Sequence, residues 1–303
     1  MLTASCPAKL NVFLEVLGKR ADGYHELETV MLRTSLCDQL SVKCTSGTGL
    51  SLRFSDATPS DMQQGIPLDE SNLILRAAAM VRSAMYLPQG AEFILHKRIP
   101  PESGLAGGSS NAATTLLLCR ELWNAPLSDA QLHSMAASLG SDINFLLSGY
   151  PAALCSGRGE QVREIPLGRD LYFIALRPRR GNSTADVFRA TGLSGELRSS
   201  ASLIDCLQAA SGADMIPLMF NRLTEAGRRV NFEMDQLMSR LNAVTRRSVH
   251  MSGSGSTVFI AVSGRAEAVQ LQNQIRERLR LPSWLLHVPR AVERPDSHAA
   301  RNP

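Results

Sequence analysis

The sequence predicts an α+β protein of two lobes. Its 303 residues exceed what one hydrophobic core covers, because cores stop growing near ~250–300 residues and then divide. Apolar patterns of period 2 and period 3.6 interleave along the chain without the repeat of a barrel or solenoid. Hydrophobic residues at 44% and charged residues at 20% are the proportions of a folded globule rather than a disordered chain.

The first element is a strand over 8–16. Leu10, Val12, Leu14 and Val16 alternate there with Lys9, Asn11, Phe13 and Glu15, which predicts a half-buried strand with Lys9 and Asn11 on its polar face. A turn follows at Ala21-Asp22-Gly23, and 36–42 and 50–54 read as short strands. The polar, turn-rich stretch 57–69 reads as a surface excursion. Ser71-Asn72 caps a helix carrying Leu73, Leu75, Ala78, Met80 and Val81, and 91–96 is a strand.

That strand leads into IPPESGLAGGSSNAA at 99–113. Beyond it, Ala112, Thr115, Leu116, Cys119 and Trp123 recur at three and four residues, as on the buried face of a helix. Ser128 caps another helix that stops at Gly140, and 171–176 is a buried strand opening the second lobe. A strand at 257–262 follows a second glycine-serine turn, MSGSGS at 251–256, and precedes a helix over 266–279. The closing residues, ERPDSHAARNP, are polar with no apolar period and predict a flexible tail.

The formal charge of +4 is small for this length and its arginines are scattered, which disfavours a nucleic-acid platform but suits an anionic small molecule. The six cysteines form no CxxC pair and have no histidines at zinc spacing, so a reducing cytoplasm is the expected compartment. No apolar run approaches the ~18–20 residues of a membrane span.

Three readings of the glycine loop compete. A linker is disfavoured, since a strand leads in and an alanine-rich helix leads out. A structural turn explains glycines that supply positive φ and serines that cap a helix. An anion site explains the same residues: glycines admit backbone N–H groups close to phosphate, and serines stand at the positive end of a helix. The loop is neither GxxxxGK[ST] nor GxGxxG, and by itself it leaves turn and anion site open.

With its neighbours, the loop resembles that of the GHMP kinases, the family of galactose, homoserine, mevalonate and phosphomevalonate kinases. Four stretches carry the resemblance: PAKLNVFLEVLGKRADGYHELETV at 7–30, the loop itself, LGSDINFLLSG at 139–149 with GRGE at 157–160, and MSGSGSTVF at 251–259. The first is similar to a block specific to the branch that phosphorylates 4-diphosphocytidyl-2-C-methyl-D-erythritol. The resemblance implies the two-lobed GHMP kinase fold: a ribosomal-protein-S5-like ATP-binding domain over 1–165, a ferredoxin-like domain over 166–288, and a tail over 289–303. It further implies ATP with Mg²⁺, the cytidine diphosphate methylerythritol as small-molecule substrate, and a monomer or homodimer.

By the same resemblance Lys9 and Asp142 are catalytic. Pro101, Gly104, Leu105, Ala106, Gly107, Gly108, Ser109 and Ser110, with Asn72 and Lys97, hold ATP. Asn11, Tyr24, His25, Thr184, Phe188, Gly253, Ser254 and Gly255 hold the acceptor, with the aromatics around its base. Either Ser109 or Ser110 touches Mg²⁺, and no other protein ligand is assigned. Two alternatives stand beside these roles: Asp142 as a plain helix cap, and Lys9 as a solvated strand lysine.

The chain departs from the family twice. Ala106 replaces a glycine, which keeps the backbone approach if φ is negative there. Asn144 replaces a proline two residues after Asp142, which is expected to loosen the start of that helix.

Overall fold

The computed structural model describes residues 1–192, 195–210 and 214–291. The first half holds β1 (Leu2–Lys19), β2 (His25–Thr45), β3 (Leu50–Phe54), α1 (Ser60–Gln63), α2 (Leu73–Ala84) and β4 (Gly90–His96). It continues through α3 (Gly107–Leu122), α4 (Asp129–Leu139), α5 (Ile143–Ser148), β5 (Ala152–Gly157) and β6 (Gln161–Glu164). The second half holds β7 (Leu171–Leu176), α6 (Thr184–Ala190), α7 (Ala201–Gln208), β8 (Phe220–Asn221) and α8 (Thr224–Val230). Then come α9 (Phe232–Thr245), β9 (His250–Met251), β10 (Val258–Val262), α10 (Arg265–Leu279) and β11 (Trp284–Val288).

The first sheet runs β3-β4-β2-β1-β8, with β5 on β2 and β6 on β5. β2 is long enough to pair β5 along 27–32 and β4 along 39–45, so one strand serves two neighbours on the same edge. The second sheet runs β11-β7-β10-β9 and is antiparallel throughout. The result is four layers. Helices α2 to α5 cover one face of the first sheet, the two sheets meet face to face, and helices α8 to α10 cover the outer face of the second.

This layering explains the strand patterns. In β7, Leu171, Phe173 and Ala175 enter the layer between the sheets, while Ile174 and Leu176 face the outer helices. Period 2 is kept, yet both faces are apolar because both are covered. β1 is buried on both faces for the same reason, with Lys9 at 4%, Asn11 at 3% and Glu15 at 0% exposure. The expected half-buried strand is therefore corrected: its polar side chains are covered by protein rather than by water. Register shifts at Pro7/Lys9, Asn11/Phe13 and Val16/Gly18 also let Val12 and Phe13 enter one core together.

The caps behave as the sequence predicts. Asn72 accepts from Ile74 N, and Ser128 and Gln131 form a capping box that starts α4. Periodicity missed β5, β6 and β11, which are short strands without clean alternation. Most of the expected tail lies outside the described residues. Among the described residues no helix is long and apolar enough to cross a membrane.

His250 on β9 stacks on Phe259 at 5.6 Å and leaves Nε2 buried without a partner. Burial lowers its pKa to about 4. The unfolded chain takes that proton near the ordinary ~6.5, so this contribution to stability is full above 6.5 and is lost as pH falls toward 4. Urea midpoints at pH 7 and pH 4.5 should differ by the equivalent of ~2 kcal/mol from this group, and His250→Gln should flatten the difference.

Candidate active site

Two glycine loops and β1 meet at one point. Gly104 has φ of +76°, and a Cβ there would stand 2.5 Å from the Ser252 carbonyl and 2.8 Å from that of Gly255. Only glycine admits both that backbone and that approach. The contact is sewn by hydrogen bonds: Thr257 N donates to Ser103 O at 2.9 Å and Ser252 Oγ to Gly104 O at 3.1 Å. Lys9 N donates to Leu105 O at 3.0 Å, and Asn11 N to Ser252 Oγ at 3.2 Å. The first loop, the second loop and β1 thus fix one another.

The Lys9 ammonium sits at this junction. It donates to Asn11 Oδ1 and to Gly104 O at 2.9 Å, and lies 3.6 Å from Asp142 Oδ2. Asn11 cannot turn its oxygen away, because its Nδ2 donates to Thr29 Oγ1 at 2.8 Å and Thr29 in turn to Phe13 O at 2.7 Å. A buried cation needs such a set of acceptors, and the solvated-lysine alternative fails. Asp142 stands at the N-cap of α5 yet makes no side-chain cap bond. Its carboxylate, 30% exposed, faces a cavity of about 1120 Å³ instead. The capping alternative fails with it.

That cavity brings together most residues named from the sequence. Lys9, Asn11, Asn72, Lys97, Pro101, Gly104, Ala106, Gly107, Gly108, Ser109 and Asp142 are among the residues that line it. Tyr24, His25, Thr184, Phe188, Gly253, Ser254 and Gly255 line it as well. Two named residues do not reach it with their side chains. Leu105 is fully buried among the inter-sheet core and offers only its backbone. Ser110 is buried in the first turn of α3, where its hydroxyl has no hydrogen-bond partner.

Ala106 departs from expectation. Its φ is +56° and ψ 36°, the left-handed region, so the condition of negative φ is not met. The chain carries a Cβ where it costs ~1–2 kcal/mol, just after two residues whose carbonyls are held, Gly104 O by Ser252 Oγ and Leu105 O by Lys9 N.

Lys97 and Asn72 are tied up within the protein. Lys97 Nζ pairs with Asp38 Oδ2 at 2.6 Å and donates to Ile99 O, with both charged groups buried. Burial lowers the Lys97 pKa against the pull of Asp38. Asp38 Oδ1 also accepts from Arg98 N and Ile99 N, each at 2.7 Å. With its amide nitrogen turned toward them, Asn111 donates to Asp38 Oδ2 at 3.1 Å and Gly107 O at 3.2 Å. Asp38 is therefore the anchor beneath the loop. Asn72 spends its amide on Ile74 N and Pro67 O.

At the other side of the cavity, His25 stacks on Phe188 with centroids 4.9 Å apart and planes 26° apart. Burial, and then the nearby Lys19, lower the His25 pKa, which favours neutral imidazole. The Arg158 guanidinium lies 4.8 Å over the Tyr24 ring. Thr184 Oγ1 and Ser254 Oγ are 3.0 Å apart, and Asn182 Nδ2 and Asn221 Nδ2 hold the second loop by its Ser254 and Gly253 carbonyls at 2.8 Å each.

Sequence reasoning missed Asp38, Thr29, Arg158, Asn182 and Ser252. A lone acid inside an apolar strand at Asp38 was the one visible signal, since such a group needs a cation. Asp38→Asn leaves the Lys97 ammonium buried without a counter-charge and should cost ~3–5 kcal/mol, read as a fall in urea midpoint at pH 7. A loss below ~1 kcal/mol would show that the pair does not anchor the loop.

The comparisons with known proteins place the chain in a family. The model for the GHMP kinases N terminal domain matches 72–157, and that for the GHMP kinases C terminal region matches 203–281. The chain is 35% identical over 272 residues to a 4-diphosphocytidyl-2-C-methyl-D-erythritol kinase of Shouchella clausii, covering 89% of each. It is 33% identical over 271 residues to the one of Bacillus subtilis, covering 89% of this chain and 91% of the relative. A crystal structure of 4-(cytidine 5'-diphospho)-2C-methyl-D-erythritol kinase superposes with a TM-score of 0.77 at 31% identity, over 95% of this chain and 99% of the other. A homoserine kinase from Cytophaga hutchinsonii, at 15% identity and a TM-score of 0.68 over 95% and 94% of the two chains, shares the fold. With these likenesses spanning both lobes, the chain belongs to the GHMP kinases and, within them, to the 4-diphosphocytidyl-2-C-methyl-D-erythritol kinase family.

Proposed function

We propose that this protein transfers the γ-phosphoryl group of ATP to the 2-hydroxyl of 4-diphosphocytidyl-2-C-methyl-D-erythritol, a step of the non-mevalonate (methylerythritol phosphate) route to isoprenoid precursors. The observation that carries the reading is the Lys9 ammonium 3.6 Å from Asp142, set where two glycine loops meet. Phosphoryl transfer asks little covalent chemistry of a protein; alignment and charge stabilisation do the work. In this reading Asp142 orients the acceptor hydroxyl and receives its proton, and Lys9 steadies the carboxylate and the charge on the transferring group. The backbone of 104–108 and the start of the 16-residue α3 cradle the triphosphate. Residues 1–165 then form the ATP-binding domain and 166–288 the second domain.

Tyr24, His25 and Phe188 offer faces for a nucleobase, and a neutral His25 suits the polar edge of an uncharged cytosine. Mg²⁺ belongs to the reading as the ion that neutralises phosphate charge when bound, a role in which it keeps waters and takes few protein oxygens. The chain fits that demand through Ser109, which lines the cavity. The cytoplasm as compartment and a monomer or homodimer as assembly complete the reading.

ADP release by the purified protein should appear with the cytidyl substrate and not with mevalonate or homoserine. Turnover of mevalonate alone would overturn the reading. Asp142→Asn should lower kcat by ~10²–10⁴ while Tm stays within ~2 °C; retained turnover with a lowered Tm would return Asp142 to a structural role. Gly107→Val should raise KM for ATP more than KM for the acceptor, since a Cβ there meets Lys97 Nζ at 2.8 Å and Ile99 Cγ2 at 3.1 Å. Equal rises would make the loop a plain turn.

A further inference from the structure

α5 presents Asp142, yet little within the helix holds its start. It has six residues and no side-chain cap. The backbone bonds at its first turn are long, 3.3 Å from Ile143 N to Gly140 O and 3.3 Å from Leu146 N to Asp142 O. A proline at the second helical position would fix φ there, and this chain has Asn144 instead.

Asn144 is 7% exposed, and each end of its amide meets a different element. Oδ1 lies 3.1 Å from His133 Nδ1 on α4, and Nδ2 donates to Glu160 O at 3.0 Å in the turn between β5 and β6. That turn is itself fastened. Glu160 Oε2 accepts from Arg158 N at 2.6 Å, and Arg158 Nη2 donates to Ala137 O on α4 at 3.2 Å. Bonds thus run from α4 to α5 through His133 and Asn144, from α5 to the turn, and from the turn back to α4. The closed ring restrains α5 from two directions that a proline would not reach.

We propose that Asn144 is a positioning residue, whose side-chain clamp between His133 and the Glu160 carbonyl holds the first turn of α5 so that Asp142 faces Lys9. The expected loosening at this departure is thereby offset by tertiary bonds. The inference rests on the reading of Asp142 as the group that receives the hydroxyl proton. Misplacing such a group by about an ångström costs on the order of 10²-fold in rate, so the clamp acts on kcat and leaves the binding surfaces of ATP and acceptor in place.

The test compares Asn144→Ala, Asn144→Pro and His133→Ala by hydrogen exchange of the free protein and by steady-state kinetics. Asn144→Ala should speed exchange over 143–148 alone and lower kcat by ~10–100-fold, with both KM values within about twofold. Asn144→Pro restores φ control by the other route and should recover kcat to within about threefold of the parent. His133→Ala keeps the Glu160 bond and should give a smaller loss, and it carries the test if Asn144→Ala does not fold. Unchanged kcat and exchange in Asn144→Ala would overturn the proposal, as would exchange that quickens throughout the chain or a proline variant as slow as the alanine one. An inactive parent would instead sink the functional reading, while exchange over 143–148 still decides the clamp.

Discussion

The site depends on the burial of one ammonium group. Lys9 is 4% exposed, so its charge stands only where acceptors surround it. Those acceptors come from β1 itself through Asn11, from the first glycine loop through the Gly104 carbonyl, and from the head of α5 through Asp142. Residues 95 and 133 positions away in sequence are thereby bound to one atom. The second loop closes the arrangement: Gly253 with φ of +58° passes so near that a Cβ would lie 3.1 Å from both Lys9 Nζ and Asn11 Oδ1. A side chain there would be strained at that φ and would press on both groups.

β1 can hold such a group because it is fixed along its length. Six residues beyond Lys9, Glu15 is fully buried and bonded by Arg222 through both oxygens at 2.7 Å. Burial works to raise the Glu15 pKa, and the bonds from Arg222, Arg198 N and Val16 N outweigh it, so the carboxyl stays below its ordinary range. This pair ties β1 to the turn after β8 and to the segment ahead of α7. One strand therefore carries a cation that organises the site and an anion that binds the second half of the chain to the first.

What the sequence made legible was local. Period 2 puts Lys9 and Asn11 on the same side, and they do bond; side-chain caps at Asn72 and Ser128 begin helices as their residue types require. What it hid was partnership across the fold. Lys97 reads as a free cation beside the loop until β2 brings Asp38 beneath it, and then its charge is committed to the scaffold. The half-buried reading of β1 failed because alternation reports which residues are polar, not whether water or a second sheet lies opposite. The φ of Ala106 was hidden for a related reason, since a left-handed alanine runs against the residue's own preference.

The charge lining the cavity follows from these commitments. Lys9, Lys19, Arg158 and Arg189 bring cations to its wall, and Asp142 and Glu102 are the carboxylates among the described residues that line it. Lys97 adds none, being neutralised by Asp38. Arg158 and Arg189 are paired as well, with Glu160 at 3.9 Å and Asp186 at 3.0 Å, so Lys9 and Lys19 are the lining cations set against Asp142 and Glu102, in a chain whose formal charge is only +4. The electrostatics of this site thus rest on placement rather than composition: the buried Lys9 ammonium stands 3.6 Å from Asp142, and that carboxylate is carried by the helix that Asn144 fastens.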